Sequence, residues 1–490
     1  MSLRQQQSRE MALEAAGGSS PMHAPRQQIY PQSVSGVFRN IKWALLVATL
    51  AVYYLLPFVR WHRGPSEPSQ AVLVDLDHSR FYFFFIEIWP QEVYYFTGLL
   101  ILAAMTLFLM NAVAGRLWCG YLCPQTIWTD LFLLVERSIE GDRRERMKAA
   151  EGPWTRQRLT RAVRKHATWL LIAWWTGGAW VLYFNDAPTL VRQLATFTAP
   201  PIAWIWIGIL TFTTYFLAGH MREQVCTYLC PWPRIQAALT DEWALNVAYR
   251  YDRGEPRGSA KKNDALRLAG APAGDCVDCH QCVAVCPTGV DIRDGLQLDC
   301  IQCGLCIDAC DAVMLKVGRP ERLIAYDTDV NIRRRAAGLP GLPTRFVRAR
   351  TVLYAAMIAI VGSIMLYALT TRGSQGLAVM HDRNPMFVQL SNGAIRNAYT
   401  VRISNKNTEP RRFMINVGGL EGAQIEGIGA AVEKDGALIL TAGPDQTLET
   451  RVLVTAPLNV QLPPSQNIVF SMVDLKTSET VKVADHFLAP

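Results

Sequence analysis

Polar and apolar positions along this chain separate into blocks. Behind a polar leader of some 35 residues come five apolar stretches: Trp43–Val59, Val93–Val113, Ala167–Phe184, Ile202–Ala218 and Thr351–Leu369. Crossing a hydrocarbon layer of roughly 30 Å takes about 17–25 apolar residues, so each stretch predicts a membrane span. Charges are nearly absent inside them, which argues against buried helices of a soluble protein. The first lies too far behind the leader to be a cleaved signal. After the second and fourth spans the pattern turns amphipathic, with Ile127, Trp128, Leu131, Phe132 and Val135 in one case and Ile235, Ala238, Leu239, Trp243 and Leu245 in the other. After the fifth span the period drops to two. Runs such as "AYTVRIS", "RRFMINV", "ALILT", "ETRVLVT" and "NIVFSMVDL", separated by Gly, Asn and Pro turns, predict about seven strands in an antiparallel sandwich over Met380–Pro490.

Charge orients these blocks. The leader and first span edge carry Arg4, Arg9, Arg26, Arg39 and Lys42, and the loop between spans two and three is dense in Arg and Lys from Arg137 to Lys165. The loop between spans three and four carries only Arg192, and that between spans one and two is acidic on balance. Lys and Arg favour the cytoplasmic side, so the N-terminus is expected inside a bacterial inner membrane and the C-terminus in the periplasm. The net charge of +8 then reads as a membrane flank, and no basic patch with interleaved aromatics marks a nucleic-acid binder. The expected organisation is a multi-domain chain: leader 1–36, four-span membrane domain 37–250, ferredoxin domain with basic linker 251–345, fifth span 346–371 and outer β domain 372–490.

All twelve cysteines fall on segments this topology places inside or at the inner membrane edge. Thiols stay reduced there, so metal sites or free thiolates are expected rather than disulfides. Eight form two runs, "CVDCHQCVAVCP" from Cys276 and "CIQCGLCIDAC" from Cys300, each C-x2-C-x2-C-x3-C. This is the bacterial two-cluster ferredoxin spacing, in which the fourth cysteine of each run ligates the other cluster. It assigns Cys276, Cys279, Cys282 and Cys310 to one [4Fe–4S] cluster, and Cys300, Cys303, Cys306 and Cys286 to the second. Pro287 fits the pattern, and Asp311 stands where a second proline is usual. A pair of zinc sites is the plainer alternative, and His280 reads as a loop residue. Two clusters imply one-electron transfer without naming donor or acceptor. "GGLEGAQIEGIG" lacks dinucleotide-binding spacing, so direct oxidation of a nicotinamide is disfavoured.

The other four cysteines form a repeat: "WCGYLCPQTIW" after span two and "VCTYLCPWPRI" after span four. Repeats in membrane proteins commonly build a site at their interface, so Cys119, Cys123, Cys226 and Cys230 are expected to converge. Pro124 and Pro231 should break the span and open a surface helix. Helix N-termini, with Arg116 and Arg234 nearby, would favour thiolate, a soft ligand suited to Cu(I). A structural zinc, buried thiols that only pack, and a dithiol–disulfide couple are the alternatives. His220 and Met221 are candidate auxiliary ligands, and His166 with His220 a weaker haem pair.

On "WCGYLCPQTIW", "CTYLCPWPRIQ", the double ferredoxin run, "DRNP" at Asp382–Pro385 and the β tail, the chain resembles the CcoG family, also called FixG or RdxA, accessory factors for cbb-type cytochrome c oxidase. The likeness covers nearly everything after the leader. It implies a five-span membrane domain with an inserted two-[4Fe–4S] ferredoxin domain and an immunoglobulin-like outer domain. It also implies a cupric reductase that supplies Cu(I) to the oxidase and needs the CxxxCP cysteines. The implied partners are the membrane, a copper chaperone or transporter, oxidase assembly factors and an electron donor that no motif names, and a homodimer is compatible with it. A quinol-linked electron conduit and a redox-sensing assembly scaffold are the competing functions.

Overall fold

The computed structural model describes residues 28–63, 67–77, 79–89, 92–373, 375–407, 409–428, 431–432, 437–444, 446–457 and 462–490. Arg4, Arg9 and Arg26 lie outside these. The chain divides into two compact units, 1–61 with 70–365, and 62–69 with 366–490.

Four helices of the described residues are long and apolar enough to cross a membrane: Val37–Phe58, Tyr94–Ala114, Pro201–Met221 and Ala349–Thr370. The expected third span forms the latter part of a 26-residue helix, Arg156–Val181. Its length suffices, but its opening turns carry Arg and Lys and its apolar part leans on tryptophan, so it falls outside that set of four. The fourth loosens into a π-helix over Tyr215–Met221. Between the first two spans lies an antiparallel three-stranded sheet, Val72–Asp75, Arg80–Phe83 and Ile86–Ile88, which the sequence reading had passed over as an acidic loop.

The first helix starts by capture. Asp308, from the second ferredoxin run, accepts the Phe38 and Arg39 amides at 3.2 and 2.8 Å, capping the exposed N–H groups of that helix. Farther along, Arg39 and Lys42 pair with buried Asp130 on helix Pro124–Glu140. In the ferredoxin region, strand Asn246–Tyr249 pairs antiparallel with Ile324–Asp327. Val247, Ile307, Met314 and Ile324 form its core together with Cys276, Cys282 and Cys310.

In the second unit two antiparallel sheets face each other. One runs Gln424–Gly427, Gln446–Thr455, Ile395–Asn405 and Gln375–His381, with Val388–Gln389 pairing alongside. The other runs Ala431–Val432, Leu438–Ala442, Arg411–Gly418, Ser465–Asp474 and Thr480–Leu488. Among the described residues these are ten strands rather than about seven, because pieces of two to four residues are too short to show an alternation. The alternation that was visible fills the core: Tyr399, Val401 and Ile403 from one sheet meet Phe413, Ile415, Phe470 and Met472 from the other.

Candidate metal centres

The two CxxxCP units fold alike. In each, the apolar helix ends on a residue of positive φ, Gly115 at 51° and Arg222 at 45°. One helical turn follows, Leu117–Tyr121 in α form and Val225–Leu229 in π form. The second cysteine is then extended, with ψ 127° at Cys123 and 121° at Cys230, as a residue before proline prefers. Its amide closes the turn on the matching carbonyl, Cys123 to Trp118 at 2.9 Å and Cys230 to Val225 at 2.8 Å. Arg222 tolerates a conformation better suited to glycine because its guanidinium is held, by the Gly219 carbonyl at 2.8 Å and Glu136 at 2.9 Å.

Each unit's surface helix grips the other unit's span end. Gln125 donates to the carbonyls of Leu217 and Arg222 at 2.9 and 3.1 Å. In return, Gln236 accepts the Cys119 thiol at 3.2 Å and, through its carbonyl, the Asn111 amide at 3.2 Å. This reciprocity brings Cys119, Cys123, Cys226 and Cys230 within electrostatic reach of one another, all half-buried. They do not form a closed single-ion cage: among the described residues no three His, Cys, Asp or Glu converge at metal-ligating distance.

The eight remaining cysteines gather in two groups. Cys276, Cys279, Cys282 and Cys310 line one small cavity with Tyr249 and Arg293. Cys300, Cys303 and Cys306 share their closest thiol influences with Cys286. Both loops wind the same way: the residues flanking the second cysteine, Asp278 and His280 in one and Gln302 and Gly304 in the other, all have positive φ. Thiols arranged around a space suit an iron–sulfur cube better than a single zinc, which draws four ligands to one point. His280 borders the same cavity, its Nδ1 2.7 Å from Arg293.

The second run is the one that meets the membrane edge. The Tyr121 hydroxyl donates to the Cys303 carbonyl at 2.9 Å, and the Arg116 amide to Gln302 Oε1 at 2.8 Å. The Arg116 side chain reaches the Leu298 and Cys300 carbonyls and, from its other nitrogen, that of Pro233 in the second unit. Cys119 itself packs on the buried core of Ile301, Cys303 and Leu305.

Comparison with known proteins agrees with this layout. Residues 221–329 match the model of a 4Fe-4S dicluster domain, residues 96–140 that of a 4Fe-4S binding domain, and residues 365–490 the IG-like fold at the C-terminal of FixG. "Nitrogen fixation protein FixG" of Rhizobium meliloti is 47% identical over 91% of this chain and 89% of that one. "Protein RdxA" of Cereibacter sphaeroides is 49% identical over 90% of this chain and 91% of that one. The chain belongs to the FixG/RdxA family. The family is one of membrane-bound, polyferredoxin-like oxidoreductases. A crystal structure of a FixG-related protein from Vibrio parahaemolyticus aligns with 24% of this chain and 97% of its own, at 20% identity and a TM-score of 0.21.

Helix N-termini and nearby arginines were expected to favour thiolate, yet burial pushes Cys119 and Cys226 up to about 12. Arg116 pulls Cys119 down but does not prevail. For Cys226 the main influences after burial are Cys123, Cys230, Glu223 and Asp299, all of the same sign, and Arg234 is not among them. Burial thus favours the protonated thiol at Cys119 and Cys226. His166 and His220 stack on each other. Their rings lie 5.9 Å apart, and the Tyr215 hydroxyl is 2.9 Å from His166 Nδ1.

The sequence reading missed the charges that brace the second unit. Buried Glu136 pairs with Arg146 at 2.8 Å, Arg222 at 2.9 Å and Lys165 at 3.7 Å. Burial alone would raise its carboxyl, but the three cations outweigh it and hold it below its ordinary value. The signal was an acid at a position facing inward on an amphipathic helix, four residues past Phe132.

Proposed function

We propose that this protein reduces Cu(II) to Cu(I) at the membrane edge, in support of assembly of a cbb-type cytochrome c oxidase. Cys276, Cys279, Cys282 and Cys310 hold one [4Fe–4S] cluster, and Cys300, Cys303, Cys306 and Cys286 a second. When bound, these clusters supply one electron at a time. Copper is the substrate, taken by thiolates of Cys119, Cys123, Cys226 and Cys230. The observation that carries this reading is the packing of Cys119 on the core that contains Cys303, which sets the copper-binding thiols beside a cluster-binding loop. Soft sulfur favours the reduced ion, so ligation itself favours reduction. Incoming copper displaces thiol protons, and binding weakens as pH falls. Cu(I), satisfied by few soft ligands, needs no four-sulfur cage, and an open site lets it leave for a chaperone or an assembly factor.

A second reading has its own observation. The 4Fe-4S model on residues 96–140 covers Cys119 and Cys123 but neither ferredoxin run, so the four edge thiols are candidates for a third cluster. Iron and acid-labile sulfide on anaerobically purified protein separate the two. The copper reading expects about eight of each per chain, and a third cluster raises both to about twelve. Cu(II) added to protein with reduced clusters should restore the visible absorption of the oxidised clusters at one electron per copper. Spectra unmoved by copper would defeat the copper reading. The orientation it requires, with residues 221–350 cytoplasmic, predicts that a periplasm-dependent reporter is active after Pro490 and silent after Ala150. The reverse pattern would overturn it.

A further inference from the structure

Helices Arg156–Val181 and Pro201–Thr214 pack closely at Gly177, where an added Cβ would lie 2.9 Å from the Ile207 carbonyl. Farther toward the thiol end the pair parts. The result is an open groove of about 700 Å³ walled by Leu170, Trp174, Phe212 and Phe216, with Tyr215 and His220 at one end. Gly208 lies along it, and nothing stands within 4 Å of a Cβ built there. The polar end falls within the π-helical segment Tyr215–Met221, and such segments occur frequently at functional sites.

A lipid tail would need none of the polar groups. The Tyr215 hydroxyl stands 2.9 Å from His166 Nδ1 and so joins the groove to a second space. That space is a polar basin of about 380 Å³ lined by His166, Lys165, Glu140 and Arg161. One hydrogen-bonded pair thus connects an apolar groove, open on a membrane helix, to a charged basin on the other side. Burial and the nearby Lys165 hold His166 below its ordinary value, so at neutral pH the imidazole is free of charge and ready to accept a proton. His220 and Cys226 are six residues apart in the chain, which limits their separation to about 20 Å, and Gln125 from the first unit bonds the carbonyl of Arg222 between them.

We propose that this groove binds a membrane quinol, the electron donor for copper reduction. The proposal rests on the copper reading above. The quinol ring lies between Trp174 and Phe212, with one hydroxyl toward Tyr215 and His220. Oxidation of one quinol breaks two O–H bonds and yields the quinone, two protons and two electrons. Two Cu(II) ions take one electron each and become Cu(I). The protons leave in turn through the Tyr215 hydroxyl and His166 to the basin.

The test uses the full chain in lipid nanodiscs, with anaerobic decylubiquinol as donor, Cu(II) as acceptor and a Cu(I)-specific chelator as reporter. The parent should oxidise one quinol per two Cu(I) formed. Gly208→Phe fills the groove and should raise the KM for quinol at least about tenfold. Tyr215→Phe keeps the ring wall but breaks the proton link, and should lower kcat about a hundredfold with little change in KM. Protein whose clusters have been reduced beforehand and freed of excess reductant bypasses the groove, and its single-turnover Cu(II) reduction should match the parent in both variants. If both variants oxidise quinol like the parent, the groove is not the site. If pre-reduced protein reduces copper and the parent ignores quinol, the donor is not a quinol. If neither quinol nor pre-reduced clusters yield Cu(I) but decylubiquinone still binds the parent and not Gly208→Phe, the groove stands and the copper reading falls. Loss of that binding difference as well would overturn both.

Discussion

The two CxxxCP units share a backbone and differ in what surrounds it. In the first, Gly120 lies so close to the second ferredoxin run that a Cβ there would be 2.7 Å from the Ile301 carbonyl and 3.0 Å from Cys303 Cα. The tyrosine after it is buried, with its hydroxyl on the same loop. In the second unit the matching residue is Thr227, whose hydroxyl donates to the Asp299 side chain at 2.9 Å. The next two residues, Tyr228 and Leu229, are 66% and 59% exposed, and the turn is π rather than α. The second cysteine pair therefore sits in the looser surroundings, with Cys226 bordering a cavity of about 30 Å³ beside Pro287 and Thr288. The first unit is pressed onto the cluster-binding loop, and the second is the more open of the two.

The largest expected effect comes from the loop the first unit rests on. Cys303→Ala should remove about half the iron and essentially all copper reduction, read by metal analysis and the chelator assay. The second unit's brace comes next. Glu136→Ala leaves Arg146 and Arg222 buried without their partner and should cost about 3–5 kcal/mol in thermal unfolding. An exposed pair in the outer sandwich, Arg402 with Glu449, should cost under about 1 kcal/mol when broken. Because the folded Glu136 carboxyl lies below its ordinary value of 4.5, its contribution is full above that pH. It fades as the pH drops through the folded value, and Glu136→Ala should flatten that acid limb of the stability curve. Effects smaller than that of the brace test the asymmetry itself. Gly120→Ala overpacks the first contact, at about 1–3 kcal/mol. Thr227→Ala gives up one hydrogen bond, about 0.5–1.5 kcal/mol. Equal losses would mean that the units are equivalent after all.

Much of this was legible because it is periodic. Apolar runs gave the helices, the cysteine spacings gave the two runs, and the prolines at 124 and 231 gave the breaks where the surface helices begin. What escaped notice depends on contacts distant in sequence. Nothing beside Asp308 marks it as the cap of a helix 270 residues earlier, and nothing beside Glu136 names Arg222. The raised thiol of Cys119 has a related reason: a helix N-terminus is a local feature, whereas burial of Cys119 against Ile301 and Cys303 comes only with tertiary packing. The π-helix at Tyr215–Met221 has no sequence period distinct from the α-helix it interrupts.

The central claim is that the four membrane-edge thiols are where copper is reduced. The most direct measurement is anaerobic Cu(II) reduction by protein whose clusters have been chemically reduced, followed with a Cu(I)-specific chelator, for the parent, Cys119→Ala and Cys226→Ala. The account predicts that both variants keep their iron and their iron–sulfur spectrum and lose most of the copper-reducing rate. Variants that reduce copper as fast as the parent, or that lose a third of their iron, would contradict it.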